Sequence, residues 1–201
     1  MIKQRRSIRR YQTKPVPKEI VQKVLEAATW APSAHNSQPW QFIILEDRQI
    51  KRNLTEQMSE AWASDLANNN QSIDAKKRKE KTEQFTNAPV LILVCLTPEG
   101  LKKFSDKTQQ SIERDLAIES LGACIQNLLL ATHATGLGAC WYCAPAFCKE
   151  LVQKILKIPK SVEPHAFITL GYPDEVPTIS PRKKESTYYF VNFWGNTTGQ
   201  L

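Results

Sequence analysis

Four arginines stand around one serine close to the start of the chain. In the stretch RRSIRRY the basic residues are Arg5, Arg6, Arg9 and Arg10, and the serine is Ser7. Guanidinium groups bind phosphate oxygens through paired hydrogen bonds. An arginine can also face a carbonyl that becomes negative on reduction. The stretch therefore predicts a phosphate-binding segment, and a solvated basic terminus or a nucleic-acid arm is the alternative.

A second polar stretch, APSAHNSQPW, occupies residues 31–40. Its side chains offer both hydrogen-bond donors and acceptors, and a proline on each side holds the backbone extended. Such a loop suits the recognition of a heterocycle edge or a sugar chain, and a capped link between a helix and a strand is the alternative. The polar residues are Ser33, His35, Asn36, Ser37 and Gln38, and the prolines are Pro32 and Pro39.

The stretch GLGACWYC at 136–143 combines small residues with a CxxC pair. Its glycines and alanine would let a flat ligand lie against main-chain atoms. Cys140 and Cys143 could serve disulfide chemistry or zinc binding. However, the pair follows a strand pattern instead of opening a helix, and no second CxxC exists. We expect buried structural thiols and no metal site.

A basic cluster, PRKK, follows the last predicted strand and contains Arg182 and Lys183. It could complete a phosphate site that Arg5 begins. A solvated charged loop is the alternative.

The apolar pattern predicts the elements that must position these segments. We expect helices at 17–30, 111–135 and 145–156, and one or two exposed helices within 48–87 with a weak centre at 68–71. We expect strands at 40–45, 89–96 and 166–172, a strand-like stretch at 136–143, and an aromatic strand or arm at 188–194. Strands separated by long helices indicate a single α/β-type domain over residues 1–201.

Whole-chain properties limit the possible functions. A chain of 201 residues needs neither disulfides nor a metal to hold its core. The longest apolar run, at 89–96, is too short for a membrane span, and the N-terminus lacks the apolar segment of a secretory signal. With an odd number of cysteines, this predicts a cytoplasmic protein without membrane partners. The net charge of +7 fits either a polyanionic partner or a phosphate-bearing small ligand.

In order and spacing, four marks resemble the FMN-dependent nitroreductase superfamily. These are RRSIRRY, APSAHNSQPWQF, GLGACW after a long helix, and ITLGYP followed by a basic pair. The resemblance covers about residues 4–184. It implies an α+β fold of three layers, with a central mixed, mostly antiparallel sheet flanked by helices. It also implies an intertwined homodimer with two flavin sites at the subunit interface.

The resemblance further implies which residues meet FMN. One group contacts the phosphate, ribityl chain and pyrimidine ring, and a second lies against the isoalloxazine. A third group lies on a loop of the other subunit. Arg9 would be the electrostatic stabiliser of the reduced flavin. The implied contacts are Arg5, Arg6, Ser7 and Arg9 along the flavin; Pro32, Ser33, Ala34, Asn36 and Gln38 from the partner subunit; Gly138 and Ala139 against the isoalloxazine; and Arg182 and Lys183 at the phosphate.

The implied activity is a ping-pong oxidoreductase that passes hydride from NAD(P)H through FMN to a nitroaromatic, quinone or related unsaturated acceptor, with no protein nucleophile. The segment 55–88, the stretch WYCAPAFC and the tail look more like a branch related to deazaflavin-coenzyme biosynthesis proteins. A flavin- or deazaflavin-binding module, or a reductase of a cofactor-biosynthesis intermediate, is therefore the alternative. A nucleic-acid-binding protein is a third hypothesis, but the chain carries no recognition motif for it.

Overall fold

The computed structural model describes residues 1–184 and 187–196, so the remaining residues of the predicted 1–201 domain lie outside the described part of the chain. Four strands in that part form one sheet: β1 (Trp40–Leu45), β2 (Val90–Leu96), β3 (Gly138–Tyr142) and β4 (Glu163–Gly171). Their order is β1-β2-β4-β3, and every neighbouring pair is antiparallel. The α/β-type prediction was therefore wrong, and the α+β fold implied by the resemblance is confirmed.

The two central strands explain the longest apolar run of the sequence. All seven residues of β2 are buried. Alternate side chains belong to two different core clusters, with Ile92 and Val94 in one and Leu91 and Leu93 in the other. A strand covered on both faces has no solvent side to supply polar residues, so the sequence reads as continuously apolar.

Helices cover both faces of the sheet and complete three layers. On one face, Val24 and Ala28 pack into the same cluster as Leu121 and Leu128. On the other face, Leu54 belongs to a second cluster that includes residues of three other helical segments. No helix among the described residues is long and apolar enough to cross a membrane. The first layer contains α1 (Lys18–Thr29) and α4 (Lys107–Ala134), and the second contains α2 (Arg48–Asn68), α3 (Ala75–Thr86) and α5 (Lys149–Leu156).

Most predicted elements are confirmed, with three corrections. The segment 48–87 does contain two helices, but they are not simply exposed, because Leu54 of α2 is fully buried in the core. The predicted helix 145–156 is divided into a short 3₁₀ turn, Ala144–Phe147, and α5. The aromatic segment predicted as a strand or arm forms no strand in residues 187–196.

One ion-pair network joins α4, α5 and β4. The Glu163 carboxylate accepts hydrogen bonds from Arg114, at 2.8 Å from Nη2, and from Lys149 Nζ. The hydrogen bond from Arg114, opposed by partial burial and helped by Lys149, lowers the pKa of Glu163 to about 2. Glu163 therefore stabilises the fold only while it is ionised.

This network predicts a pH-dependent stability. The pKa of Glu163 is lower in the folded than in the unfolded chain, so its contribution is present at neutral pH and is lost as pH falls from about 4.5 towards about 2. Because Glu163 is partly exposed, solvent screening limits that contribution to about 1 kcal/mol. We expect Glu163→Gln to lower the free energy of urea unfolding by that amount at pH 7 and by less at pH 3. Glu46→Gln, in an exposed pair with Lys18, is the control. An equal loss at both pH values would contradict the prediction.

Candidate functional site

The arginine-rich segment lies along the outer edge of β3. The Ile8 N–H donates to the Ala139 carbonyl at 2.9 Å, and Ser7 forms a parallel bridge with Ala139. A Cβ added to Gly138 would lie 2.6 Å from Cβ and Cγ1 of Ile8. Gly138 therefore leaves room for the buried Ile8 side chain, and this packing alone accounts for the glycine.

Tyr11 anchors the other end of the segment. Its hydroxyl donates to the Ile8 carbonyl and lies 2.7 Å from Thr169 Oγ1 on β4. Burial is the main cause that raises the pKa of Tyr11, so the phenol stays protonated. The Gln12 N–H donates to the Tyr172 carbonyl at 2.9 Å. The backbone between Ser7 and Gln12 is thus held to two strands of the sheet.

A cavity of 480 Å³ opens beside this segment. We call it the arginine cavity. It is bounded by the N-terminal residues, the end of α4, the start of β3 and the chain after β4. Four of the predicted site residues line it, namely Arg5, Arg6, Gly138 and Ala139; other lining residues include Ile8, Leu129, His133, Glu175 and Ile179.

The two arginines of the cavity are not equivalent. Nη1 of Arg6 donates to the carbonyls of Lys3 and Arg5, both at 2.8 Å, so this guanidinium is already partly engaged with the backbone. Within residues 1–184 and 187–196, the guanidinium of Arg5 has no hydrogen-bond or ion-pair partner. Arg5 is therefore the cation that is free to bind an anion in this cavity.

Glu175 is a site residue that the sequence did not predict. Its carboxylate accepts the N–H groups of Arg9 and Arg10, and it pairs with Arg10 Nε at 3.3 Å. Burial raises the pKa of Glu175, but these two N–H donors and the Arg10 charge outweigh it, so the pKa is lowered. Glu175 fixes the backbone of Arg9 and leaves its side chain exposed. Recognition through backbone N–H groups leaves no pattern in the sequence.

The polar loop 31–40 has an unusual backbone held by α4. His35, Asn36 and Gln38 have φ values of 55°, 54° and 48°, in the left-handed region that costs energy for non-glycine residues. The Ala34 N–H donates to Ser120 Oγ at 3.1 Å. The buried Glu113 lies 3.5 Å from His35 Nε2 through its Oε2. These contacts keep the strained loop in one conformation.

Within one protomer, the loop and the arginine cavity are apart. Ser120 and Glu113, which hold the loop, precede the cavity residues Leu129 and His133 on the same helix. A helical rise of 1.5 Å per residue places the two contact regions about 14 to 30 Å apart along α4. The predicted loop residues Pro32, Ser33, Ala34, Asn36 and Gln38 therefore do not line this cavity in their own protomer.

The basic cluster does not reach the arginine cavity either. Arg182 and Lys183 are exposed and are not among the residues that line it. Ile179, three residues earlier, does line the cavity. The segment that carries Arg182 thus begins at the site, and a phosphate role for Arg182 and Lys183 stays a prediction.

The cysteines are free thiols. Cys140 is buried, as expected, but Cys143 is exposed, which corrects the expectation of two buried thiols. Cys140 lies within β3, which ends at Tyr142, so Cys143 lies just outside the strand. In the described part of the chain, no group of three or more His, Cys, Asp or Glu side chains could hold a metal ion.

Comparison with known proteins gives one family. The nitroreductase family model matches residues 2–172. A protein of Methanothermobacter thermautotrophicus named "Putative NADH dehydrogenase/NAD(P)H nitroreductase" is 33% identical over 178 residues, which are 88% of this chain and 77% of that protein. Iodotyrosine deiodinase of Thermotoga neapolitana is 28% identical over 193 residues, 94% of this chain and 95% of that protein.

A solved structure is also similar. The crystal structure of oxidized iodotyrosine deiodinase bound to FMN and 3-iodo-L-tyrosine superimposes with a TM-score of 0.70 at 25% identity. The likeness covers 91% of this chain and 93% of that one.

Because Ile8 packs against Gly138, we can predict the effect of adding one methyl group at position 138. We expect Gly138→Ala to displace Ile8 and destabilise the protein by about 1–3 kcal/mol, because overpacking forces side chains or backbone to move. Hydrogen exchange at the Ile8 amide should become faster. Combining the change with Ile8→Gly, which removes the Ile8 Cβ and γ carbons that the new methyl group would meet, should cost less than the sum of the two single changes. Strictly additive losses would show that the two residues do not press on each other.

Proposed function

The chain belongs to the nitroreductase family, and from that membership we propose that it is an FMN-dependent oxidoreductase. It takes electrons from NAD(P)H and delivers them to a nitroaromatic, quinone or related unsaturated acceptor in a ping-pong cycle. The observation that carries the proposal is the arginine cavity, where the guanidinium of Arg5, without a partner among the described residues, lies beside a backbone that is fixed to β3.

The relatives support the cofactor and the electron donor. One relative is named as an NAD(P)H nitroreductase, and the deiodinase structure contains bound FMN. Both similarities extend over at least 88% of this chain.

The residues of the arginine cavity fit the phosphate end of FMN. Arg5 offers unengaged donors to an anion, and Arg6 adds positive charge beside it. The cavity volume of 480 Å³ lies in the ordinary range for small-molecule sites. Apolar walls contributed by the buried Leu129 and Leu137 strengthen charge interactions because they exclude water. Gly138 and Ala139 would then lie beside the flavin, and Arg182 and Lys183 would close on the phosphate.

Bound FMN would supply the redox chemistry by accepting hydride from NAD(P)H and passing two electrons to the acceptor. The protein would hold and tune the flavin. Arg9 is our candidate for this role: Glu175 fixes its backbone, and its side chain stays exposed. A guanidinium near the pyrimidine edge would stabilise negative charge that develops there on reduction.

We propose that the functional unit is a homodimer in which α4 of each protomer crosses its partner. A two-fold axis near the middle of α4 would reverse the helix, and the loop end of one protomer would then meet the cavity end of the other. Gly122 and Ala123 lie between the two ends. A Cβ added to Gly122 would meet nothing within 4 Å, so its own protomer does not require a glycine there. Ile112, 53% exposed on the same helix, is apolar surface that such a dimer would cover.

This arrangement gives the polar loop its proposed role. Pro32, Ser33, Ala34, Asn36 and Gln38 would reach the flavin of the partner subunit. The left-handed residues and the contacts with Ser120 and Glu113 would keep the loop rigid, and rigid groups lose less entropy on binding.

A second candidate function is reductive deiodination of a halogenated tyrosine. The observation favouring it is the likeness to two iodotyrosine deiodinases over at least 91% of this chain. In that reaction, two electrons and one proton would replace the carbon–iodine bond by a carbon–hydrogen bond and release iodide. Iodide release from 3-iodo-L-tyrosine under dithionite would separate it from the first candidate.

FMN uptake by the purified protein tests the proposed function. We expect a yellow protein that binds FMN, and about a 10- to 100-fold higher Kd in Arg5→Ala, because charge-assisted hydrogen bonds contribute about 1.5–3 kcal/mol. Arg9→Ala should also weaken binding. Lys3→Ala, an exposed cation of the same segment, is the matched control. Wild-type protein that takes up no FMN would contradict the proposed function. Arg5→Ala and Arg9→Ala variants with an unchanged Kd for FMN would show that these arginines do not form the flavin site.

Turnover distinguishes this enzyme from a binding module. We expect steady-state NAD(P)H oxidation with a nitroaromatic or a quinone. FMN binding without such oxidation would favour a flavin- or deazaflavin-binding module, or a reductase of a cofactor-biosynthesis intermediate.

A further inference from the structure

A second loop of the same protomer packs against the polar loop 31–40. It consists of residues 97–106, between the end of β2 and the start of α4, and we call it the β2–α4 loop. The Thr97 N–H donates to the Pro39 carbonyl at 3.1 Å. Leu101 packs against the core cluster that contains Val24 and Leu121. The β2–α4 loop is therefore anchored in the core and bonded to the polar loop.

Gly100 brings the β2–α4 loop against the backbone of the polar loop. The Leu101 N–H donates to the Pro98 carbonyl at 3.2 Å and closes a turn. Within this turn Gly100 has a φ of 80°, which glycine adopts readily. A Cβ added to Gly100 would lie 2.7 Å from the Ser37 carbonyl oxygen. Because that oxygen belongs to the main chain, a larger residue at position 100 would fit only if one of the two loops moved.

Glu113 of α4 joins the same two loops through its carboxylate. The residue is only 3% exposed. Its Oε1 accepts the Lys102 N–H at 3.0 Å, and its Oε2 lies 3.5 Å from His35 Nε2. Burying a carboxylate is costly unless hydrogen-bond donors surround it. Glu113 therefore favours the arrangement in which the β2–α4 loop and the polar loop each present a donor to it.

The polar loop needs support from outside because its own backbone is strained. His35, Asn36 and Gln38 all lie in the left-handed region, and such a conformation persists only where the surrounding structure determines it. Within the loop, the Gln38 N–H donates to Ser33 Oγ at 3.0 Å. The contacts with Gly100 and Glu113 come from other segments. Without them, we expect the loop to relax into less strained conformations.

We propose that Gly100 and Glu113 are positioning residues for the flavin site of the partner subunit. They hold the polar loop in the conformation in which Ser33 and Asn36 would reach that flavin, and they act through the loop without meeting the flavin themselves. The proposal rests on the proposed function. It adds the β2–α4 loop to the segments that set flavin affinity, and it places that influence in the opposite protomer from Arg5.

The first test adds one methyl group at the contact between the loops. Gly100→Ala should raise the Kd of FMN about 10-fold, as expected if about one tenth of the molecules keep a binding-competent loop. In the flavin-free protein, hydrogen exchange at the Gln38 amide should become faster. Gly195→Ala is the matched control, because Gly195 also has a positive φ, 87°, but a Cβ there would meet no described atom within 4 Å. The control should change neither measurement.

The second test separates the two functions of the Glu113 side chain. Glu113→Ala removes the acceptor of the Lys102 N–H together with the contact to His35, and should also raise the Kd of FMN about 10-fold. Glu113→Gln keeps an oxygen that can accept the Lys102 N–H. We therefore expect it to restore most of the affinity and the slow exchange at the Gln38 amide.

Mixed dimers distinguish positioning from a general loss of stability. Gly100→Ala protomers are combined with Arg5→Ala protomers and, separately, with Asn36→Ala protomers. The first heterodimer should keep one FMN site of wild-type affinity, because both defects fall on the same site. The second should keep none, because both of its loops are altered. A loss of stability in the Gly100→Ala protomer would not produce this pattern.

Three results would overturn the proposal. An unchanged Kd of FMN in Gly100→Ala and Glu113→Ala would show that the polar loop needs no support from these residues. An equal loss in Gly195→Ala would assign the effect to backbone strain alone. If Asn36→Ala restores a site with Arg5→Ala but Gly100→Ala does not, Gly100 acts on general stability. Wild-type protein that takes up no FMN would overturn the proposed function itself, and this separates the two failures.

Discussion

The backbone of residues 7–12 is attached to the sheet at two places, and the geometry of the site depends on this attachment. Ile8 hydrogen-bonds to Ala139 on β3, and Tyr11 reaches Thr169 on β4. N-terminal residues are usually mobile unless something fixes them. Here the fixed backbone sets where the guanidinium groups of Arg5 and Arg9 can reach. Gly138 makes the attachment possible by leaving space for Ile8.

The length of α4 imposes the second constraint. One end of this helix of 28 residues holds the polar loop, and the other end borders the arginine cavity. A rigid helix cannot bring its own two ends together. The loop is nevertheless kept in a strained conformation that has no evident use within its own protomer. The second copy that we propose, running in the opposite direction, would explain both facts, because it would place a rigid polar loop beside each cavity.

Local sequence patterns predicted the elements well, and long-range relations poorly. Strand β1 was predicted with both ends correct, because Pro39 and Asp47 bracket its apolar run. The antiparallel strand order could not be read in the same way, since pairing depends on residues far apart in the chain. Glu175 escaped prediction because it binds backbone N–H groups, which every residue has.

The residues of the candidate site were also predicted only in part. Arg5, Arg6, Gly138 and Ala139 were predicted and are brought together at one cavity. A second cavity, lined in part by Trp62 and Phe85, was not predicted, because both residues lie within a segment whose composition is mainly polar and charged. Their common location follows from how α2 and α3 pack on the sheet, and that packing has no local signature.

A mixed dimer tests whether each flavin site combines arginines of one protomer with the loop of the other. Protomers carrying Arg5→Ala are combined with protomers carrying Asn36→Ala, and the heterodimer is purified through two different tags. A shared site predicts that one site of the heterodimer carries both defects and the other carries neither. We therefore expect one FMN bound per heterodimer with wild-type affinity, although both variant homodimers bind weakly. A heterodimer with no site of wild-type affinity would mean that each protomer builds its site alone, and the shared site would be wrong.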